Sequence, residues 1–187
     1  MIYLKWAALL LPSLFMAVAG RLLAPILPLF ANDQARLPKW LDWFNTPHTD
    51  LDGDARHWER WPGTDWWSTY KRRTAWLLRN VAYGFDRQVL GFTYDDTYTR
   101  LVVGDESVGD LSGVSGLCRW YAYDASGKLA AFQIYWVWHY RLFSLRKCIR
   151  FGVGWKIWGA FPDRRDNPPQ AQYWAYLNLF KSTGNQD

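Results

Sequence analysis

The amino-acid sequence predicts an α+β protein with an N-terminal apolar helix of the membrane type, one or two amphipathic helices and then an antiparallel β-meander sheet. Three observations predict this class. Residues 1–31 are apolar and almost uncharged, and residues 65–83 place large apolar side chains at helical spacing. From about residue 88 onward, apolar and polar residues alternate. A period of 3.6 residues is typical of helices, and a period of two is typical of strands.

Length and composition favour one domain behind an apolar segment. The chain has 187 residues, and we expect residues 1–31 to be membrane-associated and residues 32–187 to form a single α+β domain with its sheet at about 88–177. The 14 Trp residues and the net charge of +5 suit a membrane boundary, where Trp accumulates and anionic lipids attract bases. Two cysteines are too few for a disulfide framework, so we predict buried thiols at Cys118 and Cys148. A single bridge between them is the alternative in an exported protein.

The N-terminal segment contains one internal charge and three prolines. Residues 6–20 are uncharged, Arg21 follows, and residues 22–31 are apolar again. A spanning helix needs about 20 apolar residues, and Arg21 near the middle of the longer run costs roughly 2.5–3.5 kcal/mol. Three interpretations stay open. They are a kinked or tilted single span, a helix that lies in or re-enters one leaflet, and a signal peptide cleaved after the A-x-A-like residues 17–19.

The side chains expected to contact a membrane are large and apolar, and they come from this segment and from a short helix predicted over residues 38–44. They are Trp6, Leu9, Leu10, Leu14, Phe15, Leu22, Leu23, Phe30, Trp40 and Trp43.

The helix at 65–83 is expected to be capped by Thr64 or Asp65 and ended by Gly84. Bases cover the side of this helix opposite its aromatic residues, which suits either a membrane surface or a helix that covers a sheet. The basic surface predicted from the whole chain comprises Arg21, Lys71, Arg72, Arg73, Arg150 and Lys156.

The second half of the sequence predicts strands from its alternation. The predicted strands are 89–94, 100–103, 117–123, 128–140, 145–158 and 171–177. The turn sequence at 124–127 gives a strong hairpin signal between the third and fourth of them. A glycine-containing acidic loop at 104–116 precedes that hairpin.

One acidic loop has the oxygen spacing that begins a calcium-binding loop. Asp50, Asp52 and Asp54 stand at positions one, three and five, but Ala55 replaces the turn glycine and Trp61 replaces the closing glutamate. These three aspartates are candidate metal ligands; the alternative is an acidic loop that makes turns and caps the next helix. No nucleophile–base, zinc or dinucleotide pattern is present in the sequence, so we predict no catalytic residue, no cofactor and no enzyme activity.

An aromatic and basic set on the predicted sheet is a candidate nucleic-acid surface. Trp136, Trp138, Arg150, Lys156 and Trp158 offer rings for base stacking and cations for phosphates. The alternative is that these side chains pack against each other across neighbouring strands.

Four stretches of the sequence together resemble a family of uncharacterised proteins encoded by tailed bacteriophages and prophages. They are LLAPILPLFA at 22–31, LPKWLDWFNTPHTDLDGD at 37–54, RNVAYGF at 79–85 and AQYWAYLNLFKSTG at 171–184. The last stretch reads Asn178-Leu179-Phe180 where the family usually has Asn-Pro-Phe. The resemblance implies a phage gene product, and it implies no activity and no functional residues.

We therefore expect a phage-encoded, non-enzymatic accessory protein that its N-terminal segment attaches to the host inner membrane. The excess of bases after that segment favours a cytoplasmic main domain. The expected partners are membrane lipid and a phage or host protein. One alternative is a virion structural or ejected protein that buries the segment between subunits. Another is a nucleic-acid-binding protein that uses the sheet.

Overall fold

A computed structural model of the chain describes residues 1–158 and 169–183 and confirms the α+β class. The chain divides into two compact units. The sheet unit comprises the described residues of Met1–Trp6 and Gly91–Asp187, and the helical unit comprises Ala7–Leu90. This division differs from the predicted boundary after residue 31, because the first turn of the apolar helix packs on the sheet and the rest packs on later helices.

The N-terminal apolar run forms two consecutive helices, α1 at Ile2–Ala8 and α2 at Leu10–Leu23. They separate at Leu9, three residues before Pro12. Proline has no N–H to bond the carbonyl four residues back, and its ring crowds that carbonyl, here the one of Ala8. The local break therefore follows from Pro12.

The helical unit continues with two 3₁₀ helices and three α-helices. The 3₁₀ helices span Leu27–Phe30 and Lys39–Phe44, and the α-helices are α3 at Ala55–Arg60, α4 at Trp66–Arg79 and α5 at Tyr83–Gln88. Asp65 caps α4 as predicted, because its side chain accepts the Ser68 N–H at 3.0 Å.

Two predicted boundaries between residues 79 and 94 are wrong. The helix predicted to reach residue 83 ends at Arg79, and Gly84 lies inside α5 instead of ending a helix. A Cβ on Gly84 would collide with the carbonyl oxygen of Asp42, so this glycine permits close packing of the second 3₁₀ helix. The strand predicted at 89–94 shrinks to Phe92–Thr93, because α5 extends to Gln88 and the Val89 N–H still bonds the Phe85 carbonyl.

The sheet unit contains a five-stranded antiparallel sheet and a separate two-stranded pair. The large sheet has the order β2-β3-β4-β5-β7, formed by β2 at Thr99–Gly104, β3 at Gly116–Tyr123, β4 at Leu129–Leu142, β5 at Leu145–Trp155 and β7 at Tyr173–Ser182. The small pair joins β1 at Phe92–Thr93 to β6 at Gln170–Ala171. The predicted meander and the β3–β4 hairpin are confirmed.

The inner face of the sheet carries Cys118, Trp120, Tyr135, Val137 and Trp174, which are all buried. Gly152 leaves room for the Trp174 ring, since a Cβ there would collide with that ring. The loop at 105–115 also packs on this face, where Glu106 accepts the Trp120 indole N–H at 3.1 Å. Cys148 lies on the same face, and both cysteines are free and buried as predicted.

The outer face carries the opposite side chains of each strand, and α1 covers one end of it. There the Tyr3 ring lies 4.5 Å from the Phe132 ring, and the Trp6 indole N–H donates to the Trp174 carbonyl at 3.3 Å. Farther along this face, Trp138 and Leu177 are more than half exposed. The sheet thus has one covered face and one partly open apolar face.

Candidate functional site

Helix α2 presents its large apolar side chains to solvent. Leu14, Phe15 and Leu22 are 61 %, 71 % and 73 % exposed, and Leu11 and Val18 lie on the same side of the helix. The run Ile2–Leu23 is 22 residues long and is apolar enough to cross a membrane by length and composition. Only 6 % of its apolar window is buried, whereas the core helix of a soluble protein is mostly buried.

The opposite side of α2 carries small and polar residues that dock on the helical unit. Ser13 donates to the Asp86 carboxylate at 2.9 Å, and Met16 and Gly20 are buried. A Cβ on Gly20 would lie 2.9 Å from the Val81 side chain. The helix is therefore two-sided: one side packs on its own unit, and the other is left exposed by the described residues of the chain.

Arg21 lies in the last turn of α2, so it is not near the middle of the apolar helix. Its guanidinium is exposed and donates to the Ala17 carbonyl at 3.4 Å. A cation near a helix C-terminus is favourable because the last carbonyls carry partial negative charge. The free-energy cost of placing Arg21 in a membrane span is therefore smaller than the cost expected from the sequence, which placed it near the middle of the span.

Exposed aromatic side chains follow α2 along the chain. Trp40 is 70 % exposed, and its ring meets the half-exposed Phe30 at 5.7 Å. Trp43 is also exposed and packs edge-on against Phe85. Near the start of α4, Trp66 stacks on Tyr70. Large aromatic rings of this kind are typical of membrane–water boundaries.

The remaining predicted membrane-contact residues are only partly open. Trp6, Leu9, Leu10 and Leu23 are half-buried. The Trp6 indole packs against Phe132 and Tyr173 and is hydrogen-bonded to the sheet. Trp6 therefore anchors α1 to the sheet, and its role as a lipid contact is correspondingly limited.

The predicted basic surface is wrong for Arg72 and Arg73. Arg72 is buried, donates to the Gly63 carbonyl at 2.6 Å and to Asp52 at 3.1 Å, and stacks on Trp58 at 3.5 Å. Arg73 makes two hydrogen bonds to the same carboxylate, at 2.9 and 3.2 Å. Helical spacing could not reveal this, because the acid that draws both arginines inward lies about 20 residues earlier in the chain. Lys71 and Arg21 are exposed as predicted.

The same contacts argue against a metal site at the acidic loop. Asp52 is held by the two arginines, Asp50 accepts the Asp52 N–H, and Asp54 caps α3 by accepting the His57 N–H at 2.9 Å. No group of three or more His, Cys, Asp or Glu side chains among residues 1–158 and 169–183 is arranged to hold a metal ion. The three aspartates make turns, caps and ion pairs, which is the alternative that the sequence analysis held open.

Asp52 is ionised in spite of its partial burial. Burial raises the pKa of this carboxyl, but the hydrogen bonds and charges of Arg73 and Arg72 outweigh burial and hold the pKa below its usual value. The carboxylate compensates the buried Arg72 cation, which would otherwise be left without a counter-charge. This network fixes the loop before α3 against α4.

The structure separates the predicted aromatic–basic set. Trp136 and Trp138 lie on the outer face of β4, whereas Arg150 lies on the inner face of β5, where it pairs with Asp110 at 3.0 Å. Trp158 packs edge-on against inner-face rings, and Lys156 donates to Gln172. These five side chains therefore do not form one base-stacking platform, and Arg150 is not a free surface cation.

Inner-face burial also shifts the pKa of a phenol. The pKa of Tyr135 is raised to about 12, chiefly by burial; the Arg150 cation opposes this shift and the charge of the Asp110 carboxylate adds to it. A phenol held neutral in this way serves packing and hydrogen bonding rather than acid–base chemistry near neutral pH.

The turn between β4 and β5 carries an exposed apolar group that was not among the residues predicted from the sequence. Leu142, Phe143 and Leu145 are exposed there, and Phe143 is 94 % exposed. The signal was present as an apolar turn between Arg141 and Arg146, where polar or glycine residues are usual.

The fold and these surfaces define an α+β protein with a two-sided N-terminal apolar helix, an antiparallel sheet and exposed aromatic clusters. The chain belongs to the family of unknown function DUF7338, whose family model matches residues 1–185. No match was found among curated proteins or among solved structures.

Proposed function

We propose that this protein is a phage-encoded, non-enzymatic accessory protein that associates with the host inner membrane through the exposed side of α2. The observation that carries the proposal is the row Leu11, Leu14, Phe15, Val18 and Leu22 on a helix whose opposite side is already docked. Exposed apolar surface of this kind marks a site at which a protein binds another protein or a membrane. The phage origin rests on the sequence resemblance alone.

Energetic reasoning supports lipid attachment through this side of α2. Burying a Leu, Val or Phe side chain completely contributes about 1.5–3 kcal/mol. The five side chains are about half to three-quarters exposed, so their transfer into a bilayer contributes on the order of 5–10 kcal/mol before the cost of immobilisation. The lower end of that range matches the attachment of a single acyl chain, with an association constant of about 10⁴ M⁻¹.

Between the open interpretations, the docking contacts favour a helix that lies in the plane of one leaflet. A single span would carry the side of α2 that bonds Asp86 into the hydrocarbon core. A carboxylate there costs roughly 2.5–3.5 kcal/mol on insertion scales. An in-plane helix keeps Asp86 on the protein side and places Phe15 and Leu22 in the lipid, as interfacial amphipathic helices do.

Cell fractionation tests the attachment. Full-length protein is expected in the membrane fraction, and a variant with Leu14→Glu and Phe15→Glu is expected in the soluble fraction. Wild-type protein recovered as soluble, with its N-terminus intact, would contradict the proposal. A stoichiometric band in purified phage particles, without membrane association, would instead support the virion alternative.

Site-directed labelling separates the in-plane helix from the span. Lys5→Cys and Asn32→Cys place thiols at exposed positions on either side of the apolar run, and the native cysteines are buried. A membrane-impermeant maleimide added outside spheroplasts is expected to label neither variant. Labelling of the Lys5→Cys variant alone would show that the helix spans the membrane and would contradict the in-plane helix.

A further inference from the structure

The strands of the sheet unit have a one-sided charge composition. None of the strands β1 to β7 contains Asp or Glu, and their charged residues are all bases. Acids of the described sheet unit lie in loops, where Asp110 pairs with Arg150 and Glu106 lies 3.7 Å from Arg100. The bases at the β4–β5 end of the sheet have no such acid in the described contacts.

The β4–β5 hairpin ends in an apolar tip. Phe143 is 94 % exposed and adopts a positive φ of 56°, a conformation that is uncommon for bulky side chains. Leu142 and Leu145 flank it and are also exposed. Phe143 is almost uncovered by the described structure, and Leu142 and Leu145 are only partly covered, so folding alone does not explain why this tip is apolar.

A cleft of about 400 Å³ lies directly beside this tip. Three of its lining residues are the cations Arg141, Arg146 and Lys147, and His139 and Tyr140 complete that wall. The Lys147 ammonium donates to the Ser182 hydroxyl at 2.7 Å, and no acid lines the cleft among the described residues. Clustered cations without a counter-charge are the arrangement that binds phosphate groups.

A shallow apolar depression of about 480 Å³ adjoins the cleft on the outer face. It is lined by Trp138 and Phe180 among others, and Tyr140 lines both the depression and the cleft. The Tyr140 hydroxyl donates to the Leu179 carbonyl at 2.7 Å, which fixes the ring between the two. Aromatic rings beside cations and an apolar tip are the components of an interfacial membrane contact.

We propose that the β4–β5 hairpin is a second membrane contact, specific for anionic lipid, in which Phe143 enters the bilayer and Arg141, Arg146 and Lys147 bind lipid phosphates. The inference deepens the proposed function, on which it rests, by naming the class of lipid. Charge complementarity selects this occupant. A second copy of the chain would bring an identical cluster of cations tip to tip, and like charges repel.

Vesicle binding by the full chain tests the lipid specificity. Wild-type protein is compared on phosphatidylcholine vesicles and on vesicles that also contain phosphatidylglycerol. Each Lys or Arg near an anionic surface strengthens binding about fivefold, so the variant Arg141→Gln, Arg146→Gln, Lys147→Gln is expected to lose about a hundredfold on anionic vesicles and little on neutral ones. A variant with Arg56→Gln, Arg60→Gln and Lys128→Gln removes three other exposed bases and serves as the charge-matched control.

Site-specific fluorescence tests the insertion of the tip. Phe143→Cys is labelled with an environment-sensitive dye, and Ser126→Cys is the control in the β3–β4 turn at the opposite end of the sheet. The native cysteines are buried, and burial raises the pKa of both thiols, so they do not compete for the dye. Emission at position 143 is expected to shift to shorter wavelength with anionic vesicles, and emission at position 126 is expected to stay constant.

The outcomes separate the two proposals. Failure of wild-type protein to bind either kind of vesicle contradicts the proposed function itself. Equal binding to neutral and anionic vesicles, with no shift at position 143, contradicts only the hairpin contact. Equal losses in the hairpin variant and in the charge-matched control would also overturn it, because the effect would then reflect net charge alone. A hairpin variant that loses binding of soluble inorganic phosphate but keeps wild-type vesicle binding would assign the cleft to a free anion instead.

Discussion

Truncating the exposed side of α2 should release the protein from lipid. The variant Leu14→Ala, Phe15→Ala, Leu22→Ala removes three side chains that are 61 %, 71 % and 73 % exposed. These atoms face solvent in the free protein, so their loss leaves the packing of Ser13, Met16 and Gly20 intact. The change therefore acts on binding and spares the fold.

The size of the effect follows from the exposed fractions. Complete burial of a Leu or Phe side chain contributes about 2 kcal/mol. About two-thirds of each side chain is exposed here and can be buried in lipid, and the methyl group of the replacing alanine keeps a small part of that contribution. Each truncation then costs about 1 kcal/mol and the three together cost about 3 kcal/mol, which is about a hundredfold in the partition constant.

Vesicle flotation on neutral phosphatidylcholine measures this constant without contribution from lipid charge. The control variant Leu78→Ala, Val89→Ala, Leu101→Ala removes three apolar side chains of about 50 % exposure outside α2, and it should partition like wild type. Circular dichroism and thermal melting check that both variants are folded. Unchanged partitioning of the α2 variant, or an equal loss in the control, would refute the reasoning.

Three further predictions concern the interior. Asp52→Asn should lower the free energy of unfolding by about 3 kcal/mol at pH 7, because it leaves the Arg72 cation buried without its counter-charge. The folded-state pKa of Asp52 is lowered, so the stabilisation by this carboxylate is complete above the unfolded pKa of about 3.9 and is lost as the pH falls through the folded pKa. Urea unfolding should therefore show that the stability difference between wild type and variant closes below about pH 4. A gap that is unchanged between pH 7 and pH 2 would exclude this ion pair as its cause. Gly152→Ala should lower the unfolding free energy by about 1–3 kcal/mol through collision with the Trp174 ring, and adding Trp174→Leu should make the double variant lose less than the sum of the two single losses in the same assay. Cys118 and Cys148 should react with a thiol reagent only after denaturation, because both are buried and burial raises the pKa of each thiol; rapid reaction of the native protein would contradict the described inner face.

The elements that the sequence predicts best are those set by local chemistry. The turn at 124–127 and the alternation around it predict the β3–β4 hairpin, and Asp65 predicts the start of α4. Both signals act within a few residues, where turn geometry and capping are decided.

The features that the sequence does not reveal depend on partners distant along the chain. Arg72 has the spacing of a surface base, but Asp52 and Trp58 turn it inward. Arg150 is drawn inward in the same way by Asp110. Gly84 has the place of a helix stop, but the approach of the second 3₁₀ helix gives it a packing role. A periodicity argument cannot detect such partners, because it considers one element at a time.

The hydrogen bond between Trp6 and Trp174 has a consequence for biosynthesis. The two residues are separated by 168 positions, so Trp6 leaves the ribosome long before its sheet partner is made. Domains form in the order of synthesis, and β7 completes the sheet last. Throughout that interval the apolar N-terminus has no sheet to pack against and is available to a bilayer. Under the proposed membrane attachment, the encounter of α2 with lipid therefore precedes folding of the sheet.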